Sequence, residues 1–126
     1  MIDKILEIAL EILFFFRRKR KGKRTKGQVD EKIDLIVIHC SASRADRDFT
    51  ETDLEVCHRR RGFNGIGYHF YIRKNGDIKT TRPIERIGAH AKGFNQTSIG
   101  ICYEGGLDCH GRPADTRTEW QIHSML

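Results

Sequence analysis

The sequence predicts an α/β domain with a mixed central β-sheet flanked by helices. Three observations support this fold class: an apolar run from Ile33 to Cys40, a hairpin signal at Asn75-Gly76, and helix starts at Thr50 and Thr118. The predicted elements follow in the order strand, helix, hairpin, strand, helix. That order is typical of a layered domain in which parallel and antiparallel strands share one sheet.

The first strand is predicted from the nearly continuous apolar run Ile33 to Cys40, as expected for a strand covered on both faces. Side chains alternate along a strand, so Leu35, Val37 and His39 share one face. His39 ends this strand, and ligands of open α/β sheets bind at the carboxyl ends of strands. Two interpretations remain open for His39: a ligand of a bound group, or a hydrogen-bonded polar residue at a strand end.

The first helix is predicted to begin after Thr50, whose hydroxyl can accept from the exposed backbone N–H groups of the first turn. Leu54, Cys57 and His58 fall at helical spacing and form its predicted inner stripe. Gly62 is expected to end the helix, because glycine adopts the left-handed conformation found at many helix C-termini.

The remaining elements follow from alternation and turn chemistry. Residues 68–73 alternate as a strand, Asn75-Gly76 predicts a tight hairpin turn, and residues 78–81 form the return strand. Another strand is predicted over residues 98–103, where Gly105-Gly106 breaks the pattern. Thr118 is expected to cap a final helix that is cut off after Leu126.

The N-terminal segment differs in composition, so we divide the chain into residues 1–29 and a domain over residues 30–126. Residues 5–16 are apolar at helical spacing and predict an amphipathic helix. Residues 17–26 carry eight cations in ten positions. The apolar run is too short to span a bilayer comfortably, and the cations follow it instead of preceding it as in a secretory signal peptide.

Three interpretations of this segment remain open. Residues 1–26 could bind an anionic membrane surface, with the apolar face at the interface and the cations on the lipid headgroups. Alternatively, the helix packs on the domain and the basic run is a solvated linker. A nuclear-targeting or RNA-binding arm is the third, but no aromatic side chains are interleaved with the cations. Charges over residues 27–126 are balanced in number, which argues against a specific nucleic-acid partner.

The four cysteines show no C-x-x-C spacing. Cys40, Cys57 and Cys102 fall within apolar periodic segments. This placement favours buried free thiols over a disulfide framework.

The six histidines show no helical zinc-binding motif, so any metal site must be assembled across the fold. Tyr68 and His69 are neighbours on one strand and point to opposite faces, so only one of them can share a cleft with His39. Residues 88–95 form a loop of small and polar residues. That loop could close over a polar ligand, or it could be an ordinary turn.

Together these short motifs resemble one family. They run in order, with fitting gaps, from about Ile33 to Thr118. In chain order they are Ile38-His39-Cys40-Ser41-Ala42, Arg61-Gly62-Phe63, Gly67-Tyr68-His69-Phe70, Lys74-Asn75-Gly76, Gly88-Ala89-His90-Ala91-Lys92-Gly93, and Asn95 with Ser98-Ile99-Gly100-Ile101. The set resembles the type 2 N-acetylmuramoyl-L-alanine amidases, which include the phage T7 lysozyme and the peptidoglycan recognition proteins.

The resemblance implies a zinc-dependent hydrolase of peptidoglycan that cleaves the amide between the lactyl group of N-acetylmuramic acid and L-Ala. It also implies the family's α/β fold. By position, His39 matches the first Zn²⁺ ligand, and Tyr68 matches the tyrosine that assists at the metal-bound water or the tetrahedral intermediate. His90, Lys92 and Asn95 match the loop that borders the substrate groove. Zinc suits this chemistry because it polarises an unreactive amide and supplies hydroxide near neutral pH.

The resemblance also implies that two zinc ligands are absent, since the family supplies them after the helix that here begins at Thr118. Cys109, His110 and His123 match no ligand position. We therefore expect a fold that lacks its C-terminal portion and an impaired amidase. A non-catalytic module that binds muramyl peptide and an unstable fragment are the alternatives. The expected location is cytoplasmic or membrane-associated, with action on the cell wall.

Overall fold

The computed structural model describes the backbone of residues 14–17 and the chain over residues 33–126. Its main element is a five-stranded sheet with the strand order β1-β2-β6-β4-β5. The strands are β1 (Phe14–Arg17), β2 (Leu35–Cys40), β4 (Phe70–Ile72), β5 (Ile78–Thr80) and β6 (Ser98–Tyr103). A small second sheet pairs β3 (Ser43–Arg44) with β7 (Gly106–Leu107).

The sheet is mixed, as the sequence predicted. The three inner strands β2, β6 and β4 are parallel, and the outer strands β1 and β5 are antiparallel to their neighbours. In the centre, His39 of β2 is the register partner of Cys102 of β6. This pairing places His39 at the carboxyl end of a buried strand.

Each face of the sheet carries its own apolar core. One core contains Ile38, Cys40, Ile72 and Tyr103, with Met125 of the last helix packed against it. The opposite core contains Leu54, Ile66, Tyr71 and Cys102. Because consecutive residues of β4 and β6 enter different cores, the strict alternation predicted from the sequence holds, and the helices lie on opposite faces.

Helix α1 (Glu51–Arg60) begins with a capping box between Thr50 and Asp53. Gly62, with a φ of +89°, follows its C-terminus. Leu54 and His58 are buried as predicted, but Cys57 is exposed, so its assignment to the inner stripe was wrong. Cys57 is one position before His58 and therefore lies about 100° around the helix from it, away from the buried face. Cys40 and Cys102 are buried free thiols, as expected.

Helix α2 (Glu119–Met125) begins at Thr118, also with a capping box. The buried side chain of Gln121 donates hydrogen bonds to the backbone oxygens of Glu104 and Ile72, at 2.9 and 3.3 Å. These bonds attach the helix to the ends of β6 and β4. Over residues 33–126, no helix is long and apolar enough to cross a membrane.

Glu104 follows β6 and is only 4% exposed. Its carboxylate accepts hydrogen bonds from the backbone N–H groups of Phe49, at 2.7 Å, and Lys74, at 2.9 Å. The carboxylate thereby joins the segment before α1 to the turn after β4. It fixes the path of the chain between His39 and the helix.

Phe14–Arg17 is a strand, whereas the sequence had predicted a helix extending to Phe16. It pairs antiparallel with β2, with Phe14 opposite Ile38 and Arg17 opposite Leu35. Consecutive aromatic residues favour extended structure, and the pairing satisfies backbone groups along the outer side of β2. The predicted helix before Phe14 and the basic run after Arg17 lie outside the described residues.

Candidate functional site

A cleft of about 390 Å³ opens at the carboxyl end of β2, on the α1 side of the sheet. Its walls come from β2, α1, the segment before β4 and the loop over residues 89–95. The polar and aromatic residues that line it include His39, His58, Tyr68, His90, Lys92 and Asn95. The fold thus brings together all five residues that the resemblance assigned to the site.

His39 lies at the base of this cleft and is 3% exposed. Its ring centroid is 5.0 Å from that of Tyr68, and its Nε2 atom is 3.0 Å from Nδ1 of His90. Burial lowers the pKa of His39 to about 4, because the cationic imidazolium loses hydration there. At neutral pH His39 is therefore an uncharged imidazole.

Tyr68 stands two residues before β4, so the strand is shorter than the predicted range 68–73. It lies between His39 and His58. Burial is the main cause that raises its pKa well above the usual value, and the nearby Cys102 thiol contributes. The phenol therefore keeps its proton at any physiological pH. A neutral phenol can donate a hydrogen bond to a carbonyl oxygen or to an oxyanion.

His69 has a different environment from Tyr68. Its Nδ1 accepts a hydrogen bond from the backbone N–H of Gly100 at 3.1 Å, and its Nε2 donates to the backbone oxygen of Arg86 at 2.8 Å. The ring thus joins the segment before β4 to β6 through Gly100 and to the loop after β5 through Arg86. Of the two neighbours, Tyr68 is the one that lies against His39.

His90 enters the cleft from the loop after β5, and this loop is braced from within. The side-chain oxygen of Asn95 accepts from the backbone N–H groups of His90 and Ala91, both at 2.9 Å. A Cβ atom at Gly100 would come within 2.6 Å of the His90 ring, so glycine leaves the space that the ring occupies. Burial is the main cause that lowers the pKa of His90 to about 3, and His39 is the next.

Lys92 and Arg61 supply the cations at the rim of the cleft. Lys92 is exposed, and the guanidinium of Arg61 lies 5.2 Å from the ring centroid of Phe63. A rim of this kind attracts carboxylates, while the aromatic ring offers a flat apolar surface. Such a combination suits a peptide or sugar-peptide ligand with negative charge.

The sequence analysis assigned His58 only to the buried face of α1, but the structure also places it in the cleft wall. Its Nδ1 accepts from the backbone N–H of Gly67 at 3.0 Å, and its ring lies 5.1 Å from that of Phe63. Burial lowers the pKa of His58 to about 4, with smaller contributions from Arg61 and Arg82. The signal for His58 was its position one turn before the Arg61-Gly62-Phe63 motif.

The residues present do not fit a complete zinc site. A catalytic zinc centre needs three protein ligands, commonly histidine, cysteine or carboxylate. Over residues 33–126, no group of three or more such side chains could hold a metal ion. Cys109, His110 and His123 are all exposed. Within the described residues, fewer than two further potential ligands therefore stand beside His39.

Comparison with known proteins agrees with the fold. Residues 29–126 match the family described as N-acetylmuramoyl-L-alanine amidase, and the chain belongs to this family. The endolysin of Klebsiella phage KP32 is 37% identical over 95 residues, and that of Escherichia phage T7 is 35% identical over 95. Each alignment covers 75% of this chain and 63% of the relative. The chain therefore spans less than two thirds of the length of these endolysins.

Solved structures support the same assignment. The N-acetylmuramoyl-L-alanine amidase LysC from Clostridium intestinale superposes with a TM-score of 0.59 at 37% identity. That match covers 71% of this chain and 55% of LysC. Drosophila PGRP-LB superposes with a TM-score of 0.59 at 30% identity, covering 71% of this chain and 54% of that protein.

Proposed function

We propose that the His39 cleft binds the muramyl-peptide part of peptidoglycan and that the domain acts on the amide between the lactyl group and L-Ala. The observation that carries this proposal is the placement of His39 beside Tyr68 in a chain of the amidase family, with their ring centroids 5.0 Å apart. The similarity to LysC, an N-acetylmuramoyl-L-alanine amidase, and to the peptidoglycan-recognition protein LB of Drosophila supports the substrate class.

The residues of the cleft suggest how such a ligand is held. The phenol of Tyr68 donates a hydrogen bond to the carbonyl oxygen of the amide, and this bond strengthens as negative charge develops there. Lys92 attracts carboxylates of the peptide stem from the rim. Asn95 and the small residues around it hold the loop that borders the groove.

We also propose that hydrolysis by these 126 residues is impaired and that zinc is held weakly. His39 alone cannot provide the three protein ligands of a catalytic site. The second candidate function is a non-catalytic module that binds muramyl peptide, and it is favoured because no three side chains over residues 33–126 could hold a metal ion together. Both candidates share the cleft, and they differ in whether the amide is cleaved.

Metal content and product release distinguish the two candidates. We expect the purified chain to contain much less than one zinc per molecule by elemental analysis. We also expect it to release few new L-Ala amino termini from cell walls compared with a phage endolysin. One tightly bound zinc per chain would contradict the impaired site, and cleavage at the rate of the endolysin would establish a working enzyme.

Binding is tested by calorimetric titration with a soluble N-acetylmuramyl peptide that keeps the lactyl–L-Ala amide. Tyr68→Phe should raise Kd by roughly three- to tenfold, the usual cost of one neutral hydrogen bond. Lys92→Gln should raise Kd by roughly two- to fivefold, because an exposed charge pair contributes little. Lys79→Gln removes a cation on β5, outside the cleft, and should leave Kd unchanged. Equal binding by all these variants and the unaltered chain would contradict the proposed location of the ligand.

The hypothesis that residues 1–26 bind an anionic membrane rests on the sequence alone and stays a prediction.

A further inference from the structure

A chain of hydrogen bonds runs from the backbone of the loop to His39. The hydroxyl of Ser98 donates to the backbone oxygen of Phe94 at 2.6 Å. The same hydroxyl oxygen lies 3.2 Å from Nε2 of His90. The other ring nitrogen of His90, Nδ1, lies 3.0 Å from Nε2 of His39.

The direction of every bond in this chain follows from the number of protons available. A serine hydroxyl has one proton, and Ser98 gives it to Phe94, so toward His90 its oxygen can only accept. Nε2 of His90 must therefore carry the N–H. A neutral imidazole has a single N–H, which leaves Nδ1 of His90 as an acceptor. Nε2 of His39 must then be the donor in the bond between the two rings.

We propose that Ser98 and His90 are positioning residues that fix His39 in the tautomer protonated at Nε2 and leave Nδ1 with the free lone pair. Over residues 33–126, the structure gives Nδ1 of His39 no hydrogen-bond partner. This atom is thus the acceptor that His39 offers to a proton donor or a cation in the cleft. The tautomer of a functional histidine is commonly set by the bond that its other nitrogen makes.

The packing around His90 holds the hydrogen-bond chain in place. The side-chain oxygen of Asn95 holds the backbone N–H groups on both sides of His90. Cβ atoms at Gly88 or Gly100 would each come within 2.6 Å of the His90 ring, so two glycines form a slot for it. Ser98 is 1% exposed, so water does not compete readily for its oxygen. His90 therefore acts on a ligand through His39, since both of its own ring nitrogens are already engaged.

The inference is tested by NMR of the 15N-histidine-labelled chain at pH 7 with a chelator and without substrate. Long-range proton–nitrogen correlations report which ring nitrogen carries the proton. We expect His39 and His90 each to be a single tautomer protonated at Nε2. A proton on Nδ1 of His39 in the unaltered chain would overturn the inference, whatever the variants do.

Variants identify the residues that set the tautomer. Ser98→Ala and His90→Phe should each give a mixture of the two His39 tautomers. Each variant removes an acceptor from the series of hydrogen bonds that ends at His39. His90→Asn should preserve it, because an amide oxygen can stand near the position of Nδ1. Ser124→Ala is the matched control: it removes a hydroxyl that also donates to a backbone oxygen at 2.6 Å, that of Gly76. An unchanged His39 tautomer in Ser98→Ala and His90→Phe would overturn the positioning role.

His58 and His69 serve as internal references in every spectrum. Each accepts a backbone N–H at Nδ1, so each should stay protonated at Nε2 in all variants. Loss of these signals would identify a variant that does not fold, and the spectrum of the unaltered chain then decides the question. Because neither substrate nor metal is present, failure of the proposed peptidoglycan function would not affect this result.

Discussion

The free energy of unfolding is expected to fall steeply as the pH is lowered from 6.5 to about 4. In the folded chain the pKa values of His39 and His58 are about 4 and that of His90 is about 3, against 6.5 in an unfolded chain. Within this window the unfolded chain takes up protons that the folded chain cannot. The contribution of the neutral histidines to the free energy of unfolding is thus complete above pH 6.5. It is lost as the pH falls toward their folded-state pKa values.

Proton linkage sets the slope of the free energy of unfolding against pH. The slope is up to about 1.4 kcal/mol per pH unit for each proton taken up on unfolding. Urea unfolding at a series of pH values between 7 and 4 measures it. His58→Asn should give a shallower slope, because the amide oxygen can still accept from Gly67 while nothing titrates. His123→Asn changes an exposed histidine and should leave the slope unaltered. A flat profile between pH 6.5 and 4.5 in the unaltered chain would contradict the buried neutral histidines.

Replacement of Glu104 by Ala should lower the free energy of unfolding by about 3 kcal/mol. The carboxylate accepts from the backbone N–H groups of Phe49 and Lys74, and its oxygen lies 3.9 Å from the Lys74 ammonium. Alanine would leave two backbone donors without acceptors in a buried position. Denaturant unfolding at pH 7 provides the measurement.

Two further variants bracket this effect. Glu104→Gln keeps one acceptor oxygen and should cost less than Glu104→Ala. Glu55→Ala removes an exposed carboxylate that pairs with Arg59 one helical turn away, and should cost less than about 0.5 kcal/mol. If Glu104→Ala is as stable as Glu55→Ala, the buried carboxylate does not hold the segment before α1 in the way described.

Local patterns in the sequence predicted most of the fold. Strand β6 has the predicted bounds, and both helices begin after the predicted capping threonines. These features depend on alternation and on side chains within three residues of the helix start, so neighbours in sequence determine them. The prediction failed at Phe14–Arg17, where a spacing that fits a helix also fits a strand once β2 offers an edge.

The site could be predicted only in part, for a physical reason. His39 and Tyr68 were recognisable because they belong to short motifs beside predicted strands. The hydrogen bond between His39 and His90, and the contact of His58 with Gly67, join residues from different elements. Their existence depends on the path of the loop around Asn95 and on the space left by Gly100. Neither the path of that loop nor that space can be predicted from residues that are neighbours in the sequence.

The parallel pairing of β2 with β6 also determines when the cleft can form during synthesis of the chain. His39 pairs with Cys102, and Ser98 must be present before His90 can be oriented. Closing so long a loop is entropically costly, and parallel pairs between distant strands form slowly. On the ribosome, the apolar strand Leu35–Cys40 is therefore made well before its central partner, and its side toward β6 stays unpaired in the interval. A chaperone that shields extended apolar segments would raise the yield of folded protein most during this interval.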